Sequence, residues 1–120
     1  MTKQEEFQIV FEHLRIILKR YEPQLVLVND HSQNYYLNGH YSQKFKKDLF
    51  FGATIIQKHY VSFYLMPVYM YPELLDTISP ELKKRMQGKS CFNFKKVDDV
   101  LFNELSELTQ RGFERFQQEK

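Results

Sequence analysis

The residues that most resemble a chemical site lie in the segment QGKSCFNFKK, residues 87–96, which holds a Gly-Lys-Ser triplet and the only cysteine of the chain. A Walker A phosphate loop needs another glycine five residues before the glycine of the triplet, and it leads from a strand into a helix. Lys83 occupies that position, and the local pattern predicts a helix followed by a strand. The segment is therefore not a Walker A loop. Lys89 and the backbone N–H of Ser90 still offer a positive charge and a donor that could hold an anion.

The cysteine is a weak candidate for catalysis. A nucleophilic thiol needs a nearby base and surroundings that favour the thiolate. Cys91 begins the alternating segment CFNF, which is typical of a strand in which a free cysteine packs as a small hydrophobic residue. Because no nucleophile–base pair is visible, we predict that the protein is not an enzyme.

The histidines do not form a metal-binding motif. None of the four falls in a ligand spacing such as His-x-x-x-His, and the pattern places them on the outer flank of a helix or in turns: His13, His31, His40 and His59. A metal site assembled from distant loops would leave no such motif, and this alternative stays open.

The carboxylates of the first helical segment are mixed with positive charges. Glu5, Glu6 and Glu12 are interleaved with lysine or arginine at positions 3, 15, 19 and 20. This mixture is typical of a solvated helix face and differs from an acidic ridge that would collect iron. Further along the chain, Asp98 and Asp99 are explained as the cap of a helix and as favourable charges at its N-terminus.

Lysine and arginine cluster in three short segments of the chain, at residues 44–47, 83–85 and 89–96. Aromatic residues of predicted strands accompany them: Tyr35, Tyr36, Tyr60 and Tyr64. Aromatic side chains on an open sheet with lysines at its rim could stack bases or bind an anionic ligand. Ordinary aromatic packing and solubilising charge would produce the same pattern, so both interpretations stand.

The composition bounds the class of protein. A chain of 120 residues and 14.6 kDa predicts a single domain, residues 1–120. A net charge of +2 is small for a dedicated nucleic-acid binder, so nucleic acid is not an expected partner. The single cysteine implies no internal disulfide, the N-terminus lacks the apolar core of a signal peptide, and no apolar run approaches a membrane span of roughly 20 residues. We therefore expect a cytoplasmic protein.

Two long amphipathic helices are predicted at the ends of the chain. Residues 3–21 place their large apolar residues on one face and end before Pro23. Ile9 and Ile16, seven residues apart, lie on the other face, where they could form a contact with a partner. The C-terminal helix follows Asp98, and Gly112 on its apolar side allows a close approach to the layer below.

Between these helices the pattern predicts strands at residues 25–28, 34–38, 48–56, 60–68 and 91–94, with a basic loop at 39–47. Two short helices begin at Pro72 and after the N-cap Ser79, and the second is predicted to run to Met86 with Gly88 as its C-cap. An antiparallel sheet of about five strands buries both apolar helix faces if the terminal helices pack on one side. The predicted fold class is thus an α+β two-layer sandwich.

The segment HYVSFYLMPVYMYPELLDTISPELKKRMQGKSCFNFKKVDD, residues 59–99, resembles the YdhG-like family of small bacterial domains of unknown function. The resemblance rests on the hairpin leading into SFYLMPVY, the helical PELLDTISPELKKRM, the Gly-Lys-Ser turn before Phe-x-Phe, and the Asp-rich cap of the last helix. FQIVFEHLRIILKRY also fits, whereas residues 29–47 depart from the expected Pro/Gly-rich pattern. The resemblance implies a frataxin-like sandwich and no established activity, although iron handling has been suggested for relatives because of the fold.

Three functional hypotheses follow. The first is a non-enzymatic binding module without a cofactor that holds a small or anionic ligand at these residues: Lys89, Ser90, Tyr36, Tyr60 and Tyr64. The second is a frataxin-like iron carrier that uses these side chains: Glu5, Glu6, Glu12 and His13. The third is a protein-interaction module that forms a homodimer through Ile9 and Ile16.

Overall fold

The computed structural model describes residues 1–118, so the last two residues of the expected domain, Glu119 and Lys120, lie outside the described part. Five strands form one antiparallel sheet in chain order, β1-β2-β3-β4-β5. The predicted α+β sandwich, with an N-terminal and a C-terminal helix beside a five-stranded antiparallel sheet, is confirmed. The elements are α1 Lys3–Lys19, a 3₁₀ turn Glu22–Gln24, β1 Val26–His31, β2 Asn34–Ser42, β3 Lys47–Ile56, β4 Val61–Leu65, α2 Met66–Met70, a 3₁₀ turn Pro72–Thr77, α3 Pro80–Lys83, β5 Cys91–Phe94 and α4 Asp99–Gln117.

Helix α1 begins in a capping box, in which Thr2 accepts a hydrogen bond from the backbone N–H of Glu5 and the Glu5 carboxylate accepts one from the backbone N–H of Thr2. This arrangement satisfies two backbone donors that the first helical turn leaves free. The helix ends at Lys19, two residues earlier than predicted, because the chain tightens into the 3₁₀ turn that contains Pro23. Its buried residues are those of the predicted apolar face: Phe7, Val10, Phe11, Leu14 and Leu18.

The two faces of the sheet differ in what covers them. On the face toward the helices, Val61, Phe63 and Leu65 of β4 are completely buried, as the alternation of the sequence predicts. On the other face, called the outer face below, strand pairing places Tyr64 of β4 directly beside Ala53 of β3. Residues that pair directly across antiparallel strands point to the same side, so the register determines which polar side chains meet on the outer face.

The structure corrects four local predictions. β1 continues to His31, three residues beyond the strand predicted at 25–28. β4 ends at Leu65, not at residue 68, because Pro67 fits the first turn of α2 and cannot donate to a sheet ladder. Residues 39–42, predicted as loop, continue β2. Gly88 does not cap α3, which ends at Lys83 with Lys84 as its C-cap; instead, its φ of +80° serves a turn further on.

Helix α4 has two features that the sequence predicts, an N-terminal cap and a close approach at Gly112. Asp98 is its N-cap and accepts a hydrogen bond from the backbone N–H of Leu101. Gly112 lies against α2, where a Cβ atom at this position would be 3.0 Å from the Cβ atom of Pro67. The absence of a side chain therefore lets α4 approach the chain that leaves β4.

Candidate anion-binding site

The candidate site is built on a hairpin at the edge of the sheet. After α3, the backbone N–H of Gln87 donates to the carbonyl of Cys91, and the N–H of Asn93 donates to the carbonyl of Arg85. Residues 85–93, called the β5 hairpin below, therefore lie along the outer edge of β5, where Met86 forms an isolated β-bridge with Phe92. Gly88 adopts its positive φ in the turn of this hairpin, where a side chain would be strained.

The segment around this hairpin carries a local excess of positive charge. Residues 83–96 contain no aspartate or glutamate. Their lysine and arginine side chains form no ion pair within 4.0 Å with any residue that the structure describes. These cations are Lys83, Lys84, Arg85, Lys89, Lys95 and Lys96. Since like charges repel one another, six cations within residues 83–96 provide a local field that attracts anions.

Two neighbouring clefts open between these cations. The first has a volume of about 320 Å³ and is lined by Tyr60, Lys84, Arg85, Met86, Gln87, Asn93 and Lys95. The second has a volume of about 400 Å³ and is lined by Arg85, Phe94, Lys95, Lys96, Val97, Asp98 and Leu101. Arg85 and Lys95 line both clefts, and we call the first one the Arg85–Lys95 cleft. It combines cations, amide groups and one aromatic wall, which is a composition suited to a small anionic ligand.

A polar network fixes the inner wall of the Arg85–Lys95 cleft. The hydroxyl of Ser62 donates to Oδ1 of Asn93 at 2.7 Å, and Nδ2 of Asn93 donates to Oε1 of Gln87 at 2.8 Å. The Sγ–H of Cys91 also donates to Oδ1 of Asn93, at 3.3 Å. Because Asn93 is held from both sides, its position in the cleft wall is set before any ligand binds.

The thiol and the phenol beside this network are held in their neutral forms. Burial raises the pKa of the Cys91 thiol, against the smaller effect of hydrogen bonds with Ser62 and Tyr64. Burial also raises the pKa of Tyr64, with a further contribution from Cys91. A thiol with a raised pKa supplies little thiolate near neutral pH, so Cys91 lacks the activation that nucleophilic catalysis requires.

The structure separates the ligand-binding residues that the sequence suggests. Tyr60 lines the Arg85–Lys95 cleft. Tyr36 and Tyr64 flank the completely buried Ala53 in one row across the outer face of the sheet. Tyr64 follows Tyr60 by four residues, a separation of about 13 Å along a strand. The predicted residues therefore do not converge on one pocket.

Lys89 and Ser90 lie in the turn of the β5 hairpin, beyond the end of β5 that is farther from Lys95. The ammonium group of Lys89 lies 6.0 Å from the ring centre of Tyr69, which is the outer limit of a cation–π contact. The carbonyl of Ser90 accepts a hydrogen bond from the backbone N–H of Leu65. Lys89 thus contributes to the field of the segment from its far end, while Ser90 anchors the turn to β4.

Tyr60 is the only predicted site residue in the lining of the Arg85–Lys95 cleft, and sequence reasoning missed the other six: Lys84, Arg85, Met86, Gln87, Asn93 and Lys95. Lys95 and Arg85 are ten positions apart in the sequence, and only the fold of the β5 hairpin brings them to one cleft. The sequence does show three basic clusters, at residues 44–47, 83–85 and 89–96. Their spacing along the chain does not show which clusters lie together in the folded protein. Asn93 carries no sequence signal at all.

The residues of the iron hypothesis follow the outward side of α1. The Glu5 carboxylate is engaged in the capping box, and the His13 ring lies 6.0 Å from the ring of Phe102 on α4. Within residues 1–118, no group of three or more His, Cys, Asp or Glu side chains is placed to hold a metal ion. The iron hypothesis through Glu5, Glu6, Glu12 and His13 receives no support from this geometry and stays a prediction.

The fold and the cleft define an α+β two-layer sandwich with a basic cleft at one edge of its sheet. No protein-family model matches the chain, and no curated protein and no solved structure gives a significant match. The resemblance to the YdhG-like family therefore stays a prediction that rests on the residues quoted above. Among the described residues, no helix has the length and apolarity needed to cross a membrane.

Proposed function

We propose that the protein is a non-enzymatic cytoplasmic module that binds a small anionic ligand in the Arg85–Lys95 cleft. The observation that carries the proposal is the set of six unpaired cations in residues 83–96, with no acidic residue among them. Two of these cations line both clefts. An anion entering there gains charge–charge attraction and relieves the repulsion among the cations.

The lining of the cleft suggests how a ligand would be oriented. The guanidinium of Arg85 can bind a phosphate or carboxylate through two parallel N–H donors. The amide groups of Gln87 and Asn93 offer further donors and acceptors at fixed positions. Tyr60 and Met86 supply apolar surface, so the module suits a metabolite with an anionic group and a flat or apolar portion. A volume of about 320 Å³ lies at the small end of ligand pockets.

Thermal unfolding in the presence of sodium phosphate and sodium pyrophosphate tests the proposal, with sodium chloride at the same ionic strength as the reference. A ligand that binds only the folded chain raises the unfolding temperature, by an amount set by its concentration relative to Kd. We expect pyrophosphate to raise it beyond the chloride reference, and Arg85→Gln and Lys95→Gln to remove most of this increase. Lys44→Gln, outside the segment, is the matched control and keeps the response of the unmodified chain.

Equal shifts in phosphate, pyrophosphate and chloride would show that the anions only screen charge, and the proposal would fail. A response that survives Arg85→Gln but disappears in Lys89→Gln would move the site to the turn of the β5 hairpin.

A further inference from the structure

The outward face of α1 carries two exposed isoleucines in line. Ile9 is 40% exposed and Ile16 is 66% exposed. Seven residues separate them, which is two turns of helix, so both point the same way. Beside Ile16 lies a groove of about 610 Å³ between α1 and α4, with His13 and Arg20 on its α1 side and Phe102 on its α4 side. This face is therefore apolar along its centre and open beside it.

Charged residues flank the two isoleucines in two rows with the same spacing of seven. At 100° per residue, one row lies on one side of the isoleucine line and consists of Glu5, Glu12 and Lys19. The other row lies on the opposite side and consists of Glu6, His13 and Arg20. In both rows the N-terminal member is acidic and the C-terminal member is basic.

We propose that this face binds a second copy of the chain, with the two α1 helices antiparallel about a two-fold axis. In such a pair the axis passes near residues 12 and 13, and Ile9 of each copy contacts Ile16 of the other. The partner is argued from charge complementarity: an antiparallel pairing brings the acidic start of each row against the basic end of the same row.

Four attractive ionic contacts result, two of each kind. Glu5 of each copy meets Lys19 of the other, and Glu6 meets Arg20. Glu6 and Arg20 make no ion pair within the described chain, and Lys19 makes only a distant one, 3.8 Å from Glu22. Glu5 caps the helix through Oε1 only and keeps its negative charge. All four charges can therefore meet a partner, and a parallel pairing would instead place like charges together.

One contact opposes the pairing. Glu12 sits at the centre of its row, so it meets Glu12 of the other copy near the axis. Four attractive contacts against one repulsive contact still favour association. Helix α1 has 17 residues and is about 25 Å long, so the contact lies at the small end of specific interfaces. We expect a dimer with Kd of about 10–100 µM that weakens as salt increases.

Sedimentation of the full chain from about 5 to about 500 µM tests the proposal across the expected Kd. The unmodified chain should shift from monomer to dimer, and Ile16→Asp should raise Kd at least about tenfold. Val28→Asp is the matched control, because Val28 on the β1 edge is similarly exposed, at 54%, and lies outside this face. A monomer at every concentration, or loss of the dimer in Val28→Asp alone, would overturn the proposal.

Charge exchange tests the antiparallel arrangement itself. Glu6→Lys and Arg20→Glu each place like charges together, so each variant alone should be mostly monomeric. A mixture of the two should recover the dimer, because residues 6 and 20 then carry opposite charges at both contacts. Glu12→Gln should strengthen the dimer, by about threefold, because it removes the repulsion at the axis. No recovery in the mixture, or a weaker dimer in Glu12→Gln, would contradict the two-fold pairing.

Discussion

The hydrogen bond between Ser62 and Asn93 joins β4 to β5 and supports the wall of the Arg85–Lys95 cleft, so its removal has a predictable cost. Ser62 is 1% exposed and donates at 2.7 Å to Oδ1 of Asn93. Replacing Asn93 with leucine leaves this buried hydroxyl without its acceptor. Such a loss costs about 1–3 kcal/mol, and we expect about 2 kcal/mol in the free energy of unfolding.

The reverse change should cost less. In Ser62→Ala, Oδ1 of Asn93 keeps the Sγ–H of Cys91 as a donor, and the Asn93 side chain is only half-buried. We therefore expect a loss of about 0.5–1 kcal/mol. The double variant Ser62→Ala/Asn93→Leu leaves neither partner unsatisfied, so it should lose about 1 kcal/mol less than the sum of the two single changes.

Urea unfolding, followed by circular dichroism, measures the three differences. Gln43→Ala, an exposed change in the turn between β2 and β3, is the control and should alter stability by less than about 0.5 kcal/mol. If the free energies of the two single variants simply add, the two side chains are not coupled, and the pre-formed wall of the cleft is refuted.

Two further predictions concern pH and packing. Burial raises the pKa of Cys91 above its ordinary 9.0 and that of Tyr64 above its ordinary 10.0, so the folded chain holds both protons more tightly than the unfolded chain. The resulting stability is complete below those ordinary values and is lost as pH rises through the folded-state values. The unfolding temperature should therefore be lower at about pH 10.5 than at about pH 8, and Cys91→Ala should make this difference smaller. An unfolding temperature that rises over this interval would contradict the prediction. At Gly112 an added Cβ atom would lie 3.0 Å from the Cβ atom of Pro67, which leaves no space for a branched side chain, so Gly112→Val should cost about 2 kcal/mol or more. Gly112→Ala should change stability by less than about 1 kcal/mol, because the better helix propensity of alanine offsets the tight contact. Equal urea midpoints for the two variants would exclude this explanation.

The sequence predicts those parts of the fold that local interactions determine. The apolar face of α1 and the Asp98 cap of α4 depend on residues a few positions apart, and the structure has both. The end of β4 was missed because YVSFYLMPV keeps its apolar alternation through Met66, so the pattern does not show where Pro67 turns the chain into a helix. At this point the apolar alternation predicts a strand and the proline predicts the start of a helix, and the structure follows the proline.

The candidate site was only partly predictable, because it depends on register between distant segments. Ser62 and Asn93 are 31 residues apart, and no periodic pattern connects a serine of one strand with an asparagine of another. Tyr60 was found because aromatic strand residues stand out, whereas Gln87 follows the isolated β-bridge at Met86 and belongs to no segment long enough to show a periodic pattern. A one-residue shift of β5 would turn Asn93 to the other face of the sheet, and the network would not form.

Net charge is a poor guide to the partners of this protein, because its charges are segregated. The total of +2 argues against a strong binder of nucleic acid, yet a ligand in the Arg85–Lys95 cleft responds mainly to charges within a Debye length of about 10 Å, and residues 83–96 supply six cations and no acidic residue. The negative charge of helix α4 offsets these cations in the net charge of the chain, since the helix has two arginines and four acidic residues: Asp99, Glu104, Glu107 and Glu114. Any salt should stabilise the segment by screening, and only an anion that fits the Arg85–Lys95 cleft should add to that effect. The difference in unfolding temperature between pyrophosphate and chloride at equal ionic strength therefore reports binding in the cleft. The response to chloride alone reports the repulsion among the cations.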